Sequence, residues 1–138
     1  LIWKVNKNMF DNIHKIFGEP IDKLTLSDDK EKFTIHFLDG NSQSFRVTGD
    51  CCSHSWIEHL EIPKRIKGSV ITKILEDNIL EPWDKHECKK KENYEYENVC
   101  GHDVLRVYHT IFRTDKGDIV LEYRNDSNGY YGGDLEVC

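Results

Sequence analysis

The side chains that could do chemistry are concentrated in two polar stretches of the chain. Residues 48–56 contain adjacent Cys51 and Cys52 with His54 just after them. Residues 124–133 contain tyrosines, asparagines and three glycines. Each stretch follows a strand-like run, so both are predicted to be loops at strand ends, where binding residues usually collect.

The cysteine pair has two interpretations. A thiol becomes a nucleophile when a nearby cation, histidine or helix N-terminus lowers its pKa, and His54 and His59 lie close to Cys51 and Cys52. A buried cysteine also packs as a small apolar side chain. A small enzyme with a Cys51 or Cys52 nucleophile and His54 is therefore the alternative to a packing role.

A second cluster suggests metal binding. His86 and Cys88 precede a polar segment, and Cys100 and His102 follow it. Two cysteines and two histidines can hold zinc in a tetrahedral site, although the one-residue gaps are shorter than the usual two to four. The alternatives are a mobile loop without a cofactor, which is favoured, and a disulfide between Cys88 and Cys100.

The second polar stretch has the composition of a recognition surface. Tyrosine and asparagine combine flat apolar area with hydrogen bonding, and glycine allows close approach of a partner backbone. Alternatively, the tyrosines cover the sheet and the glycines only turn the chain. The predicted binding residues of the two loops are Asp50, Ser53, His54, Trp56, Arg124, Asn125, Asp126, Ser127, Asn128, Tyr130 and Tyr131.

Composition narrows the class of protein. The 138 residues suit one domain, residues 1–138, and the net charge of −6 argues against duplex nucleic acid as a partner. No apolar run approaches the ~20 residues that span a bilayer, and the N-terminus lacks a secretory pattern. We therefore expect a cytoplasmic protein that does not bind membranes.

The hydrophobic pattern predicts an α+β fold rich in strands. Residues 9–17 have helical spacing, and Ser55-Trp56-Ile57-Glu58 resembles a capping box that opens a second, short helix. Alternating or apolar runs predict an antiparallel sheet of about six strands. The predicted strands cover 23–27, 33–37, 44–48, 69–76, 104–114 and 118–124, with a short one near 135–137, and residues 77–103 are predicted to be an irregular insertion.

Two parts of the chain read as copies of each other. Residues 16–24 match 66–74 fifty positions later, and Thr34-Ile35 matches Thr110-Ile111 after 76 positions. The second offset exceeds the first by about the length of the 77–103 segment. The pattern predicts two βββ halves, the second carrying the insertion. The alternative is that short β-meanders share glycine and isoleucine positions by chance.

Several motifs carry a family resemblance. Asp50-Cys51-Cys52-Ser53 is followed by Trp56-Ile57, by Gly68 and Ile71, and by a closing Ser127-Asn128-Gly129-Tyr130-Tyr131. In this order the motifs resemble a small uncharacterised domain family found mostly in phage and viral genomes. The resemblance implies a viral accessory protein that acts inside an infected cell, and it implies no activity.

The sequence therefore predicts a noncatalytic binding module. Loops 50–56 and 124–133 would bind a host protein or a small ligand. The alternatives are the cysteine enzyme described above and a structural or assembly protein. The phosphate-binding, zinc-protease, hydrolase and calcium-loop motifs of common enzymes and ion-binding proteins are all missing from the sequence.

Overall fold

The computed structural model describes residues 16–49, 53–77, 88–92, 95–98, 104–127 and 132–138. All regular elements in these residues are β-strands, and no helix occurs among them. The ten strands are β1 Ile21–Leu26, β2 Lys32–Phe37, β3 Ser42–Gly49, β4 His54–Glu61, β5 Ile71–Asp77, β6 Cys88–Glu92, β7 Glu95–Asn98, β8 Val104–Thr114, β9 Gly117–Ser127 and β10 Gly133–Val137.

The strands form two antiparallel sheets. Sheet I has the order β1-β2-β3-β10. Sheet II has the order β4-β9-β8-β7-β6, and β5 also pairs with β8. Strands β5 and β7 pair with different parts of β8, because β5 is opposite residues 109–114 and β7 is opposite 105–106.

One buried apolar cluster joins the two sheets. Phe33 and Phe45 of sheet I lie with their ring centroids 5.6 Å and 5.3 Å from that of Phe112 of sheet II. All three rings are fully buried. Tyr108 and Tyr123 of sheet II stack at 4.8 Å beside them. The alternating inward residues of both sheets thus form the core of a β-sandwich.

The prediction of an α+β fold is wrong, and the short helix at Ser55 shows why. Ser55 opens a capping-box pattern and Ile57 and Leu60 have helical spacing, but all three residues belong to β4, which pairs with β9. A register shift between Ile57 and His59 inserts one residue into the alternation. A β-bulge therefore produces the spacing of three between Ile57 and Leu60 that is also typical of a helix.

The other predicted elements have mixed outcomes. Residues 9–15 of the N-terminal helix lie outside the described residues, and Phe17 forms a parallel bridge with Ile71. Within the segment 77–103, which the sequence predicts to be irregular, β6 and β7 form a hairpin that pairs with β8. The predicted single sheet of about six strands is replaced by two sheets.

The pairing of the strands repeats across the two sheets. Ile21 pairs with Phe37, and fifty positions after Ile21, Ile71 pairs with Thr114. Both pairings have a register shift at the same place, between Ile21 and Lys23 and between Ile71 and Lys73. Gly18 donates a backbone hydrogen bond to Ile71, and Gly68 donates one to Ile21, in a reciprocal arrangement.

The two halves exchange their fourth strands. β4 follows β3 along the chain but joins sheet II beside β9, and β10 follows β9 but joins sheet I beside β3. The registers correspond, because Ile57 is opposite Tyr123 in one pairing and Leu135 is opposite Val47 in the other. The sandwich thus has an approximate twofold symmetry in its connectivity.

The turn between β1 and β2 also reaches the edge of sheet II. Lys30 has a positive φ of 59°, and its carbonyl accepts a hydrogen bond of 2.7 Å from the Ile57 amide of β4. Within the turn, the Ser27 hydroxyl and then the Glu31 amide donate to Asp29. These bonds hold the pKa of the Asp29 carboxyl below its usual value. The turn therefore covers part of the free edge of β4.

Candidate functional site

The β3–β4 and β9–β10 connections both leave the sheets at the same end of the sandwich, which we call the polar end. There the inward row Arg106–Asn125–Ser55 of sheet II lies against the backbone of Gly49, Gly132 and Gly133. The polar end is defined by these residues together with Thr48, Ser53 and Tyr108, whose hydroxyl oxygen accepts a hydrogen bond of 3.2 Å from the Gly133 amide.

Asn125 is the centre of the hydrogen bonds at the polar end. Its side-chain amide donates to Ser53 Oγ at 3.2 Å and to Ser55 Oγ at 2.9 Å. Ser55 Oγ in turn donates to the Thr48 carbonyl at 2.8 Å. Because a carbonyl can only accept, the Ser55 hydroxyl donates its single proton to the Thr48 carbonyl and accepts a hydrogen bond from Asn125. This chain of bonds fixes the orientation of the Asn125 amide.

Asn125 is fully buried, and in this orientation its Oδ1 has no hydrogen-bond donor among the residues that the structure describes. A buried acceptor left unpaired costs about 1–3 kcal/mol. The polar end therefore has an unused acceptor next to the two loops.

Glycine is required where the two sheets meet at this end. A Cβ atom on Gly133 would lie 2.5 Å from Ser55 Oγ and 3.1 Å from Asn125 Cβ. A Cβ atom on Gly49 would lie 2.6 Å from Ser53 Oγ. By the twofold correspondence, Gly133 takes the place of Ser55 and Gly49 that of Asn125. One half supplies the polar side chains and the other half supplies the space for them.

Replacing Gly133 with alanine should lower the free energy of unfolding by about 1–3 kcal/mol, because the new methyl group overpacks against Ser55 Oγ. The double variant Gly133→Ala, Ser55→Ala removes that oxygen and should lose less than the sum of the two single variants. Urea denaturation of the four proteins measures the difference. Additive losses would show that the contact between Gly133 and Ser55 is not the cause.

The outer face of sheet II places several predicted residues together. The His54 ring stacks on Trp56 with a centroid distance of 5.5 Å, and Trp56 Nε1 donates to Glu58 at 2.7 Å. Asp126 is directly opposite His54 on the neighbouring strand. Trp56 also packs against the buried pair Leu105 and Val107. These aromatic and acidic side chains are contiguous with the first loop.

A buried charge cluster lies beside them on the same face. Glu122 Oε2 accepts from Arg124 Nη2 at 3.2 Å and from Nε at 3.3 Å, and Oε1 is 3.0 Å from His109 Nε2. Glu122 and Arg124 are each 2% exposed, whereas the His109 side chain is 21% exposed. The carboxylate is thus shared by two basic groups, of which only the imidazole reaches solvent.

The structure brings only part of the predicted site together. Ser53 and Asn125 belong to the polar end, and Ser127 lies two positions after Asn125 on the same face of β9. Arg124 points to the opposite face of β9, with Glu122. Asp50, Cys51, Cys52, Asn128, Tyr130 and Tyr131 lie outside the described residues, so a cysteine nucleophile stays a prediction.

Sequence reasoning missed Ser55, Arg106, Tyr108, His109 and Glu122. The run Glu122-Tyr123-Arg124-Asn125-Asp126 contained a signal for some of them. Alternate residues of a strand face opposite sides, so this run sends charged side chains one way and Tyr123 with Asn125 the other.

The predicted zinc ligands are largely outside the described residues. Cys88 begins β6, where only the backbone is described, and His86, Cys100 and His102 lie beyond the described ranges. Among the described side chains, no group of three or more histidine, cysteine or acidic residues is placed to hold a metal ion. In the described part of the chain, no helix has the length and apolarity needed to cross a membrane.

Comparison with known protein families gives a match over almost the whole chain. Residues 2–137 match a family described as Domain of unknown function (DUF7448). No curated protein and no solved structure shows a significant match to the chain.

Proposed function

The chain belongs to the DUF7448 family, and we propose that it is a noncatalytic binding module that recognises a protein or a small ligand through its polar end and the two adjoining loops. We further propose that it is a viral accessory protein that acts in the host cytoplasm. The observation that carries the proposal is the junction at Asn125 of β9, which bonds Ser53 and Ser55 at the start of β4. Residues 54–56 and 124–127, predicted to be parts of the two loops, are strand residues from which the loops depart.

The junction supports binding because it ties together β4 and β9, the packed strands from which the two loops depart. Loops held by a packed sheet lose little entropy when a partner binds, which favours affinity. The exposed His54 and half-buried Trp56 beside the junction add aromatic area. Aromatic side chains that remain partly exposed in the free protein are common energetic centres of interfaces.

The proposal is tested by capture followed by measurement with a purified partner. The immobilised chain is incubated with host-cell lysate and, separately, with a small-metabolite extract, and the retained species are identified by mass spectrometry. Each is then purified and its Kd measured by calorimetry. Trp56→Ala should weaken binding about tenfold or more, the loss typical of a central interface aromatic.

The matched control is Leu38→Ala. Leu38 is 51% exposed and lies in the β2–β3 turn, at the opposite end of β3 from the polar end. It should bind the partner as the parent chain does. A partner that is lost with Leu38→Ala and kept with Trp56→Ala would place the interface elsewhere, and chemical conversion of the retained molecule would favour an enzyme.

A further inference from the structure

The backbone of β10 forms an edge of sheet I, and its hydrogen-bonding groups can be assigned from the register. The Val47 amide bonds to Glu31, towards β2. Residues opposite each other in an antiparallel pair either exchange hydrogen bonds or both face away. Leu135 is opposite Val47, so the amide and carbonyl of Leu135 face outward, as do those of Val137 two positions on.

The corresponding edge in the other half of the sandwich is covered. Ile57 of β4 corresponds to Leu135, and its outward amide bonds to the Lys30 carbonyl of the β1–β2 turn at 2.7 Å. In the second half, the connection equivalent to this turn is the segment 78–103, whose described strands β6 and β7 extend sheet II beside β8. Among the described residues, no backbone group takes the place of Lys30 at β10.

The Leu135 amide is instead bonded by a side chain from its own strand. Asp134 Oδ1 accepts from it at 2.9 Å. This hydrogen bond occupies the outward amide and makes the edge less available for pairing with another strand. Rotation of the Asp134 side chain breaks the bond and frees the amide. Val137, whose amide also faces outward, belongs to the same edge strand of sheet I.

Charge identifies the kind of strand that fits this edge. Asp134 and Glu136 are exposed on the outer face of β10. Arg46, the cross-strand neighbour of Glu136, is in an ion pair with Glu31 at 3.6 Å. A second copy of the chain, pairing antiparallel about Leu135, would put Asp134 opposite Glu136. Like charges directly opposite each other are destabilising, and the chain as a whole carries a net charge of −6.

We propose that the outward edge of β10, from Asp134 to Val137, binds an extended basic segment of a partner protein by β-strand addition. The main chain of the segment bonds the amide and carbonyl groups of Leu135 and Val137, and its lysine or arginine side chains, at alternate positions, lie beside Asp134 and Glu136. This edge adjoins the polar end, because Asp134 follows Gly133 and is opposite Thr48, but binding there does not depend on the function proposed for the polar end.

The test uses three nine-residue peptides and the full chain labelled with ¹⁵N. One peptide alternates lysine and valine, the second alternates glutamate and valine, and the third is the lysine peptide with N-methylated amides on one edge. The lysine peptide should shift the amide resonances of Leu135 and Val137 and slow their hydrogen exchange. The glutamate and N-methylated peptides should shift neither resonance.

Two variants separate the backbone contribution from the charge contribution. Val137→Pro removes an outward amide, and proline is tolerated on an edge strand where its nitrogen faces solvent, so it should abolish binding. Val137→Thr is the matched control and should bind normally. Glu136→Lys should weaken the lysine peptide about threefold to tenfold, as expected when a cross-strand attraction becomes a repulsion.

Several outcomes would overturn the proposal. Shifts confined to other residues, or equal binding of the lysine and glutamate peptides, would exclude a basic strand at this edge. A concentration-dependent dimer that Val137→Pro dissociates in analytical ultracentrifugation would identify a second copy as the occupant. If Val137→Pro fails to fold, as judged from the dispersion of its amide spectrum, Glu136→Lys and the N-methylated peptide still decide the question.

Discussion

Replacing Arg124 with methionine should lower the free energy of unfolding by about 3–5 kcal/mol, the cost of removing one partner of a buried ion pair. Arg124 and Glu122 are both 2% exposed, so the Glu122 carboxylate would stay buried after losing its guanidinium. Methionine keeps most of the volume of the side chain, so the loss reports on charge more than on packing. Chemical denaturation monitored by tryptophan fluorescence measures it.

A double-mutant cycle isolates the pair. The variant Arg124→Met, Glu122→Gln buries no charge at either position, and it should recover part of the stability lost by Arg124→Met. Arg113→Met is the surface control, because Arg113 pairs with Asp118 at 3.4 Å on side chains that are 49% and 38% exposed. Its loss should stay within about 1 kcal/mol. A similar loss for Arg113→Met and Arg124→Met would contradict a special role for burial.

Phe112→Ala should lower the free energy of unfolding by about 3–5 kcal/mol, as for other large core residues cut back to alanine. Phe112 is fully buried and contacts Phe33 and Phe45 of the opposite sheet. The variant opens a cavity between the two sheets, at a ring that lies 5.6 Å from Phe33 and 5.3 Å from Phe45. Thermal and urea denaturation give the size of the loss.

The control for this prediction is Leu38→Ala, which also shortens an apolar side chain but at an exposed turn. Its effect should lie within about 0.5 kcal/mol of zero, as for most surface substitutions. Phe112→Leu should fall between the two, because leucine refills part of the cavity. A loss for Phe112→Ala no larger than that for Leu38→Ala would mean that the sheets repack freely around the site.

The sequence predicted the strands whose alternation is regular. Phe33, Ile35 and Phe37 of β2 all face the hydrophobic core, as their spacing of two residues requires. The Asp39-Gly40 turn signal coincides with a turn in which Gly40 has a φ of 91°. The prediction failed at β4, where the bulge after Ile57 gives a spacing that a helix also has. Local periodicity cannot separate these cases, because only the pairing with β9 decides between them.

The candidate site was predictable to a similar degree. The matching runs before the two polar stretches predict that the loops meet on one face, but most of the loop residues lie outside the described residues. The described contact between the two stretches is the hydrogen bond from Asn125 to Ser53. The sequence could not reveal the role of Gly133 and Gly49, since their neighbours come from the exchanged strands. The burial of Glu122 and Arg124 was equally hidden, because alternation assigns charged residues to an outer face without saying whether that face is covered.

The exchange of β4 and β10 has a consequence for the folding pathway. Neither half can complete its own sheet, because Val47 of the first half pairs with Leu135 near the chain's end and Tyr123 of the second half pairs with Ile57. The edge of β3 therefore stays open until β10, which follows it by more than eighty residues, has been synthesised. Contacts between residues so distant in sequence slow the folding reaction. They also make the two halves unfold together in one cooperative transition. Truncation of the final strand should therefore unfold the whole sandwich instead of sparing the half that remains intact.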